Sequence, residues 1–430
     1  MALSLSPPPP PPPQDRWSIL ARIPKVVKDK EAKRTFPPGA DVSVACDEPP
    51  LASLLTVPLR ISPPPCLSSY PYVAAADSSG LLLLCATEPH AEVTYHLCHA
   101  RTGEATRLSE RPVDFYGARA SVGLMVKGGS CVVAELKPAT DGTGRAALLC
   151  YTVGQYKWVV KELDCSPPLH QDWSEEAVVS YGGMLWWVDL SYGRLLACDP
   201  FTDKPELLHV PLPPVLDQLP VESYTLNWGA HHCVMVSGGK LRYVQIHGSP
   251  DAPLVSTWAL TEARKWNPER NVPLHDIWVE ESYLDTMLPW SIPALALLHP
   301  ADPDKLYFFL GSCIFAVDLR RRKVVEFSEF VMPDPANHYV MRSSHLVQAW
   351  QYDPSSTRCD SVLTCLRQEK EIAARSRAGR KIGNSLKRYR DNLIMQQQND
   401  IKIYNPLYKE TMDLARKKER RVGRRRRQAP

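Results

Sequence analysis

The sequence lacks the features that mark a membrane protein or a disulfide-bonded secreted domain. Its longest apolar run, Leu81–Ala86, is strand-sized and far below the roughly 20 residues that span a bilayer. The N-terminus enters seven consecutive prolines, Pro7–Pro13, which predicts no secretory leader. No Asn-x-Ser/Thr site occurs, and the 12 cysteines form neither a disulfide framework nor a zinc pattern. These absences favour a reduced intracellular setting, in the nucleus, the cytoplasm or both.

Motifs of common enzymes are also missing. There is no Gly-x-Ser-x-Gly elbow and no Walker-type loop. The segment Gly142–Ala147 resembles a dinucleotide loop in its letters, but it precedes a strand pattern instead of opening a helix, so it predicts a hairpin. His231–Cys233 and the pair His96 and His99 lack further ligands at metal spacing, and neighbours on a strand point to opposite faces. No catalytic residue, cofactor or metal is therefore predicted.

What the sequence does contain is an unusual distribution of proline and charge. The 430 residues include 41 prolines, nearly twice the usual share of about 5%, so long helices are not expected over most of the chain. The 44% hydrophobic fraction excludes wholesale disorder. The net charge of +4 results from two regions of opposite charge. Residues 367–430 carry 20 Lys/Arg and 7 Asp/Glu, a net charge of +13. The remaining 366 residues carry 31 Lys/Arg and 40 Asp/Glu, a net charge of −9. The body is mildly acidic and the tail is strongly basic.

Short β-type runs separated by turn residues fill residues 52–350. In Val178–Pro200 a strand, a Gly-Gly turn, an aromatic strand, a Ser-Tyr-Gly turn and a further strand follow one another, and Glu206–Val210 adds a fourth. A looser version of this pattern recurs at Ala296–Phe327 and in earlier fragments. A unit of about 40–50 residues with four short strands is typical of a propeller blade. The sequence predicts an all-β fold with a β-propeller-like body of about six or seven four-stranded blades; two β-sandwiches are the alternative.

Several polar and aromatic residues of these strands invite a functional interpretation. Trp186 and Trp187 lie in mid-strand, so we expect the two rings on opposite faces of a sheet, in the core and between blades. Asp189, Asp199 and Asp318 fall at strand ends, where carboxylates cap turns. An acid/base pair would require two of them to lie within several ångström of each other.

The two ends of the chain lack the strand pattern of the middle, and the sequence predicts three regions. Residues 1–50 are predicted to be a proline-rich disordered arm with a short docking segment, residues 51–355 the propeller-like domain, and residues 356–430 a basic helical or disordered tail. The proline run favours a polyproline II spacer, with a ligand for SH3 or WW domains as the alternative. Trp17–Val27 has near-helical apolar spacing and is expected to dock on the body.

The tail contains two helix patterns and a dense basic cluster. Val362, Leu363 and Leu366, followed by Ile382–Leu393, predict an amphipathic helix, and Asn405-Pro406 predicts the start of a second one. Such a cluster is typical of nuclear import signals or of binding to nucleic acid backbones and anionic surfaces, with a silent solvated extension as the alternative. The residues of this predicted import or polyanion-binding site are Arg416, Lys417, Lys418, Arg420, Arg421, Arg424, Arg425, Arg426 and Arg427.

Several sequence blocks, in order, resemble those of a known family. The blocks are Pro71–Leu83, Thr102–Leu108, Val132–Leu136, Leu185–Leu190 and Cys198–Phe201, with a similar opening at Trp17–Pro24. Over roughly residues 15–350 the chain resembles the plant family, expanded in grasses, that is built on domain of unknown function 1618 (DUF1618). The resemblance implies a propeller fold similar to F-box-associated and kelch-type domains. It implies no established activity and no catalytic residues.

The resemblance raises the question of a ubiquitin-ligase adaptor, which requires an F-box of about 45 residues before the propeller. Only Gln14–Pro49 is available, and Pro24, Pro37 and Pro38 within it do not fit a three-helix module. The leading hypothesis is a non-catalytic interaction scaffold or adaptor whose partners are proteins not yet identified. Its basic tail would contact importin or, without sequence specificity, nucleic acid. The alternatives are an enzyme with its site in the central cleft of the propeller, and a ligase adaptor that acts without its own F-box.

Overall fold

The structure is a computed structural model, and it describes residues 17–65, 70–87, 93–112, 121–170, 173–174, 176–214, 228–333 and 340–378. The proline run, the basic cluster and the second predicted tail helix lie outside the described residues.

Twenty-four strands within the described residues form six four-stranded sheets. Five of these sheets, which we call blades 1 to 5, are antiparallel meanders whose strands follow the order of the chain. Blade 1 consists of β4 (Tyr72–Ala76), β5 (Leu81–Thr87), β6 (Val93–His99) and β7 (Ala105–Arg107). Blade 2 consists of β8 (Val122–Lys127), β9 (Ser130–Pro138), β10 (Arg145–Thr152) and β11 (Trp158–Asp164). Blade 3 consists of β12 (Ala177–Tyr181), β13 (Met184–Asp189), β14 (Arg194–Cys198) and β15 (Leu208–Pro211).

The next two blades repeat this arrangement. Blade 4 consists of β16 (His232–Ser237), β17 (Lys240–Ser249), β18 (Ala252–Leu260) and β19 (Trp266–Pro273). Blade 5 consists of β20 (Ala294–Leu298), β21 (Lys305–Leu310), β22 (Cys313–Asp318) and β23 (Lys323–Glu329). The first strand of each blade contacts the first strand of the next, from β4 through β8, β12 and β16 to β20. These first strands therefore form the inner wall of a ring.

Blade 6 closes the ring with strands from both ends of the sequence. Its order is β2 (Ser43–Ala45), β3 (Ala52–Pro58), β1 (Ser18–Val27) and β24 (Val347–Trp350), with β24 on the inside against β20. Strand β1 pairs antiparallel with β24 and parallel with β3. The molecule is thus a six-bladed β-propeller, which confirms the predicted fold and excludes the sandwich alternative.

The near-helical spacing of Trp17–Val27 is misleading, because Ser18–Val27 of this segment form strand β1. Eight of its ten residues are buried, including Leu20 and Ile23, since the strand lies between a neighbouring strand on each side and a blade on each face. A strand that is buried on both faces shows no alternation of polar and apolar residues. Its apolar positions can then match a helical spacing by coincidence.

Glycine pairs shape the hairpins at the start of three blades. Gly182 and Gly183, between β12 and β13, have φ values of 61° and 74°. A two-residue turn with positive φ at both positions matches the right-handed twist of the paired strands, and glycine adopts that conformation without steric cost. The same device recurs at 128–129 and 238–239. The Gly-Gly turn predicted in blade 3 is confirmed.

The core consists of apolar layers between adjacent blades. On β13, Leu185 and Trp187 pack with residues of blade 2, while Trp186 and Val188 pack with residues of blade 4. Successive side chains on a strand point to opposite faces, so one strand supplies both layers. This explains why the sequences of the inner strands are continuous apolar runs.

Four helices occur among the described residues: α1 (Asp29–Thr35), α2 (Leu274–Trp278), α3 (Glu281–Leu284) and α4 (Asp360–Ala378). Helices α2 and α3 form an insertion between blades 4 and 5. The predicted start of the tail helix is confirmed by α4, where Val362, Leu363 and Leu366 are buried in the same apolar cluster as Leu83 and Val133. The chain divides after Arg367 into two units, and the second is described only over residues 368–378, which are helical.

Candidate functional site: a central cavity and an exposed helical insertion

The inner strands surround a cavity of about 290 Å³. Its wall combines polar and apolar surface, and the apolar side chains include Val178 and Val188 of blade 3 and Val234 to Val236 of blade 4. Blade 6 contributes Val347 to Trp350 and, from its second strand, Arg22. The charged or titratable side chains of the wall are Arg22, Asp77, Cys233 and His345 among the described residues.

Arg22 crosses from blade 6 to blade 1. Arg22 is only 8% exposed, and its Cζ lies 4.6 Å from the centroid of the Tyr72 ring. Nε donates to the carbonyl oxygen of Val73 at 2.9 Å, and Nη2 donates to the carbonyl of Ala74. The pairing of β4 with β5 shifts register between Val73 and Ala75, so the side chain of Arg22 satisfies carbonyls at an irregular point of the sheet.

His345 sits at another part of the cavity wall, in the short 3₁₀ turn Ser344–Leu346. Its Nε2 lies 3.5 Å from Oε2 of Glu176, and its carbonyl accepts a hydrogen bond from the hydroxyl of Tyr72 at 2.8 Å. The ring fills the space above Gly229, where an added Cβ would lie 2.1 Å from Nε2. The glycine is therefore required for the position of this imidazole.

The other two groups of the wall are not arranged for nucleophilic chemistry. Burial raises the pKa of the Cys233 thiol to about 12, so the thiol stays protonated and is a weak nucleophile. Asp77 caps a turn, because its Oδ1 accepts the backbone N–H of Ser79 at 2.8 Å. Neither group makes an ion pair with Arg22 in the part of the chain that the structure describes.

Three of the four histidines in the two predicted pairs, His96, His99 and His232, are buried and hydrogen-bonded. Nδ1 of His232 lies 2.7 Å from the hydroxyl of Tyr243, and burial lowers the pKa of His232 to about 4. Burial, helped by Arg107, likewise lowers the pKa of His96 to about 4. Nδ1 of His99 lies 3.1 Å from Oγ1 of Thr102. In the described ranges, no group of three or more His, Cys, Asp and Glu side chains could hold a metal ion.

The structure places the two tryptophans on opposite faces of β13, as predicted. Trp187 is fully buried between blades 2 and 3, and its Nε1 donates to the carbonyl oxygen of Ser121 at 2.9 Å. Trp186 packs towards blade 4, and its Nε1 donates to the carbonyl oxygen of Tyr181 at 3.0 Å. Both rings are core side chains with satisfied donors.

The three predicted aspartates cap turns. Asp189 pairs with Arg194 at 2.8 Å and accepts the backbone N–H of residue 192. Asp199 accepts the N–H of residue 201, and Asp318 accepts the N–H of residue 321. Gly142–Ala147 runs from the turn after β9 into β10, as a hairpin. The basic tail residues from Arg416 to Arg427 lie outside the described residues.

A second surface stands out on the insertion between blades 4 and 5, and we call it the helical insertion surface. It consists of four exposed large apolar side chains, namely Val279, Leu284, Met287 and Trp290. Met287 is 89% exposed and Trp290 is 54% exposed. Soluble proteins usually carry such side chains singly, so four of them within 12 residues mark a candidate interaction site.

This surface is held in place by its own hydrogen bonds. The hydroxyl of Tyr283 donates to the carbonyl of Pro289 at 2.7 Å, and Oγ1 of Thr286 donates to the carbonyl of Tyr283 at 2.6 Å. Trp290 stacks on Trp278 with ring centroids 6.5 Å apart and an interplanar angle of 14°. Met287 has a φ of 58°, a conformation that is strained for a side chain of this type. The insertion therefore displays its apolar side chains on a fixed backbone.

Neither the buried arginine of the cavity wall nor the helical insertion surface is predicted from the sequence. Arg22 lies within an apolar run, and its role depends on β1 closing the ring, which no local pattern reveals. The insertion carries a local sequence signal, because apolar residues are frequent between Pro273 and Trp290, where the alternating strand pattern stops. The role of Arg22, by contrast, becomes visible only when strands distant in the sequence are placed side by side.

A six-bladed propeller of this kind defines the class of the protein. A family model described as "Protein of unknown function (DUF1618)" matches residues 187–307. The match runs from β13 of blade 3 to β21 of blade 5, and it confirms that the chain carries a DUF1618 region. No curated protein matches the sequence.

Solved structures with some likeness include other propellers. AztD from Citrobacter koseri aligns with a TM-score of 0.32 and 13% identity, over 61% of this chain and 58% of AztD. The β-propeller domain of Cps50 (Swd1) from Myceliophteria thermophila aligns with 0.33 and 10%, over 60% and 73%. The WD40 domain of SCAP from fission yeast aligns with 0.31 and 12%, over 60% and 51%. The fold assignment rests on the six sheets themselves.

Proposed function

We propose that this protein is a non-catalytic interaction scaffold or adaptor that binds a protein partner through the helical insertion surface. The observation that carries the proposal is the exposure of Met287 and Trp290 on a backbone that is already fixed. Trp is among the residues that most often dominate binding energy at interfaces. Because the loop is tied by Tyr283 and Thr286, little conformational entropy remains to be lost on binding.

The charges around this surface suggest the chemistry of the partner. Glu281 and Asp285 are exposed beside the apolar side chains and form no ion pair within the described residues. The body as a whole carries −9. A partner segment with an apolar anchor flanked by Lys or Arg would complement both features, and the charges would accelerate its encounter. Full burial of each large apolar side chain against the partner contributes about 1.5–3 kcal/mol to the free energy of binding.

The titratable groups give separate support for a non-catalytic function. Active sites usually concentrate shifted pKa values in a cleft. Here the pKa values of His96, His232 and Tyr243 are shifted by burial, away from solvent. The thiol in the cavity wall is protonated for the same reason.

Site-specific photocrosslinking tests the proposal. A photoreactive amino acid is placed at Leu284 in the full-length protein, and matched controls carry it at Val160, an exposed apolar position of β11. Crosslinked proteins from the source cells are identified and then purified for binding measurements. We expect a partner that crosslinks at Leu284, not at Val160, and that loses at least tenfold in affinity with Met287→Asp.

Two results would contradict the proposal. One is equal crosslinking at both positions, which would mean that the helical insertion surface has no special affinity. The other is crosslinking of Leu284 only to a second copy of this chain, with a dimer in analytical ultracentrifugation. A ubiquitin-ligase subunit as the partner would favour the ligase-adaptor form of the proposal.

We also propose that the basic cluster 416–427 directs the protein to the nucleus through importin, or binds polyanions. The support is its charge density and the +13 net charge of residues 367–430. No helix of the described residues is long and apolar enough to cross a membrane. A fluorescently tagged protein should lose nuclear signal when residues 410–430 are deleted. An identical distribution with and without them would refute the import proposal.

A further inference from the structure

We propose that the central cavity binds a small organic monocarboxylate, with its carboxylate on the guanidinium of Arg22 and its apolar body among the inner strands. This site is separate from the helical insertion surface. Its test therefore does not depend on the protein partner.

The donor groups of Arg22 are only partly used. Nε and Nη2 donate to the carbonyls of Val73 and Ala74, while Nη1 has no hydrogen-bond partner among the residues that the structure describes. No carboxylate within those residues lies within 4.0 Å of the guanidinium. Since Arg22 forms part of the cavity wall, an anion inside the cavity can accept from it.

The charge of Arg22 is otherwise poorly compensated. Removing an ion from water costs several kcal/mol of desolvation free energy. Contacts with backbone carbonyls and an aromatic ring offset only part of this cost. Buried arginine is most often paired with a carboxylate, for which its planar set of donors is well matched. Elsewhere in this propeller that rule holds: Arg111 pairs with Glu135, and Arg194 pairs with Asp189, both at 2.8 Å. Arg22 is buried to a similar degree and lacks such a partner among the described residues.

The remaining charges of the wall favour a single negative charge on the ligand. Nε2 of His345 already lies 3.5 Å from Oε2 of Glu176, so the imidazole adds little attraction for a bound anion. Asp77 accepts a backbone hydrogen bond and would repel a second negative charge. A monoanion therefore fits the cavity better than a dicarboxylate or a phosphate.

The size and polarity of the cavity indicate the rest of the ligand. Its volume of about 290 Å³ lies near the lower end of small-molecule sites, which span roughly 300–1,000 Å³. Val178, Val188, Val234 and Met235 offer an apolar wall. Apolar walls with one oriented charged group are the usual arrangement for recognising an amphiphilic small molecule. The ligand would be a short aliphatic or aromatic acid.

Calorimetric titration of the full-length protein tests this inference. The probes are a panel of monocarboxylates from butanoate to 4-phenylbutanoate, the primary amide of each, succinate and inorganic phosphate. We expect at least one monocarboxylate to bind with one-to-one stoichiometry and a Kd below about 1 mM. The corresponding amide should bind at least tenfold more weakly, because it lacks the charge.

Two variants locate the binding. Arg22→Met keeps an unbranched apolar side chain but removes the guanidinium, and it should abolish the preference for the acid over its amide. Ser180→Phe places a ring at an exposed position of the cavity wall, so it should disturb folding less than a substitution of the buried Arg22. It should block binding of the acid and of the amide alike. Val160→Phe on β11 is the matched control and should leave binding unchanged. If Arg22→Met does not fold cooperatively, Ser180→Phe and the amide comparison decide the result.

Three outcomes would overturn the inference. The first is that no monocarboxylate binds below about 1 mM. The second is equal binding of acid and amide, or undiminished binding by Ser180→Phe. The third is binding of phosphate or succinate in preference to every monocarboxylate, which would make this an inorganic anion or dianion site.

Discussion

The buried histidines predict a loss of stability in mild acid. Burial lowers the pKa of His96 and of His232 from 6.5 to about 4, so both are neutral in the folded protein near pH 7. In the unfolded chain they bind protons once the pH falls below about 6.5. Acidification therefore stabilises the unfolded state, and stability is lost as the pH falls from about 6.5 to about 4. Between about pH 7.5 and pH 5, each histidine should cost about 2 kcal/mol of the free energy of unfolding.

Urea unfolding of the wild type and of His232→Gln, at both pH values, measures this directly. Replacement of His232 also removes the hydrogen bond with Tyr243, but that cost applies at both pH values and cancels in the difference. The wild type should lose about 2 kcal/mol more than the variant on acidification. His170→Gln, which replaces an exposed histidine, is the matched control. If His232→Gln keeps the full pH dependence of the wild type, the imidazole is not buried as described.

Three further predictions concern packing and charge. Trp187→Ala should lower the free energy of unfolding by about 3–5 kcal/mol in denaturant titrations, because it leaves a cavity between two blades; an effect under about 1 kcal/mol would exclude core packing. Gly229→Ala should displace the ring of His345, and unchanged imidazole chemical shifts in NMR spectra would contradict the close contact. Arg111→Met should destabilise by about 3–5 kcal/mol by leaving Glu135 unpaired, and the double variant with Glu135→Leu should recover much of this; additive losses would argue against a coupled pair.

The blades could be predicted from sequence because their signals are local. The Gly182-Gly183 turn, the aromatic strand and the turn after Asp189 each depend on a few adjacent residues. Strand alternation also predicted correctly that Trp186 and Trp187 face different layers. The sequence predicts six or seven blades and does not decide between these numbers, because divergent units do not show where the ring closes.

The rest depended on contacts between distant parts of the chain. The strand beginning at Ser18 pairs with Trp350, more than 300 residues later, and nothing in its local spacing indicates that partner. Arg22 gains its role from this pairing, since its acceptors at Val73 and Ala74 belong to another blade. Such features are set by tertiary closure, which overrides local propensity.

The closing blade also sets the order in which the ring can be completed during synthesis. Strands β1 to β3 leave the ribosome first, but the edge of β1 that receives β24 has no partner until residues 347–350 have been made. Contacts of such long sequence separation form slowly and leave strand edges exposed meanwhile. A chain terminated before Val347 would hold five finished blades beside an open edge. Ring closure thus distinguishes a completed propeller from a truncated one, and the truncated product would be the species most prone to aggregate or to be degraded.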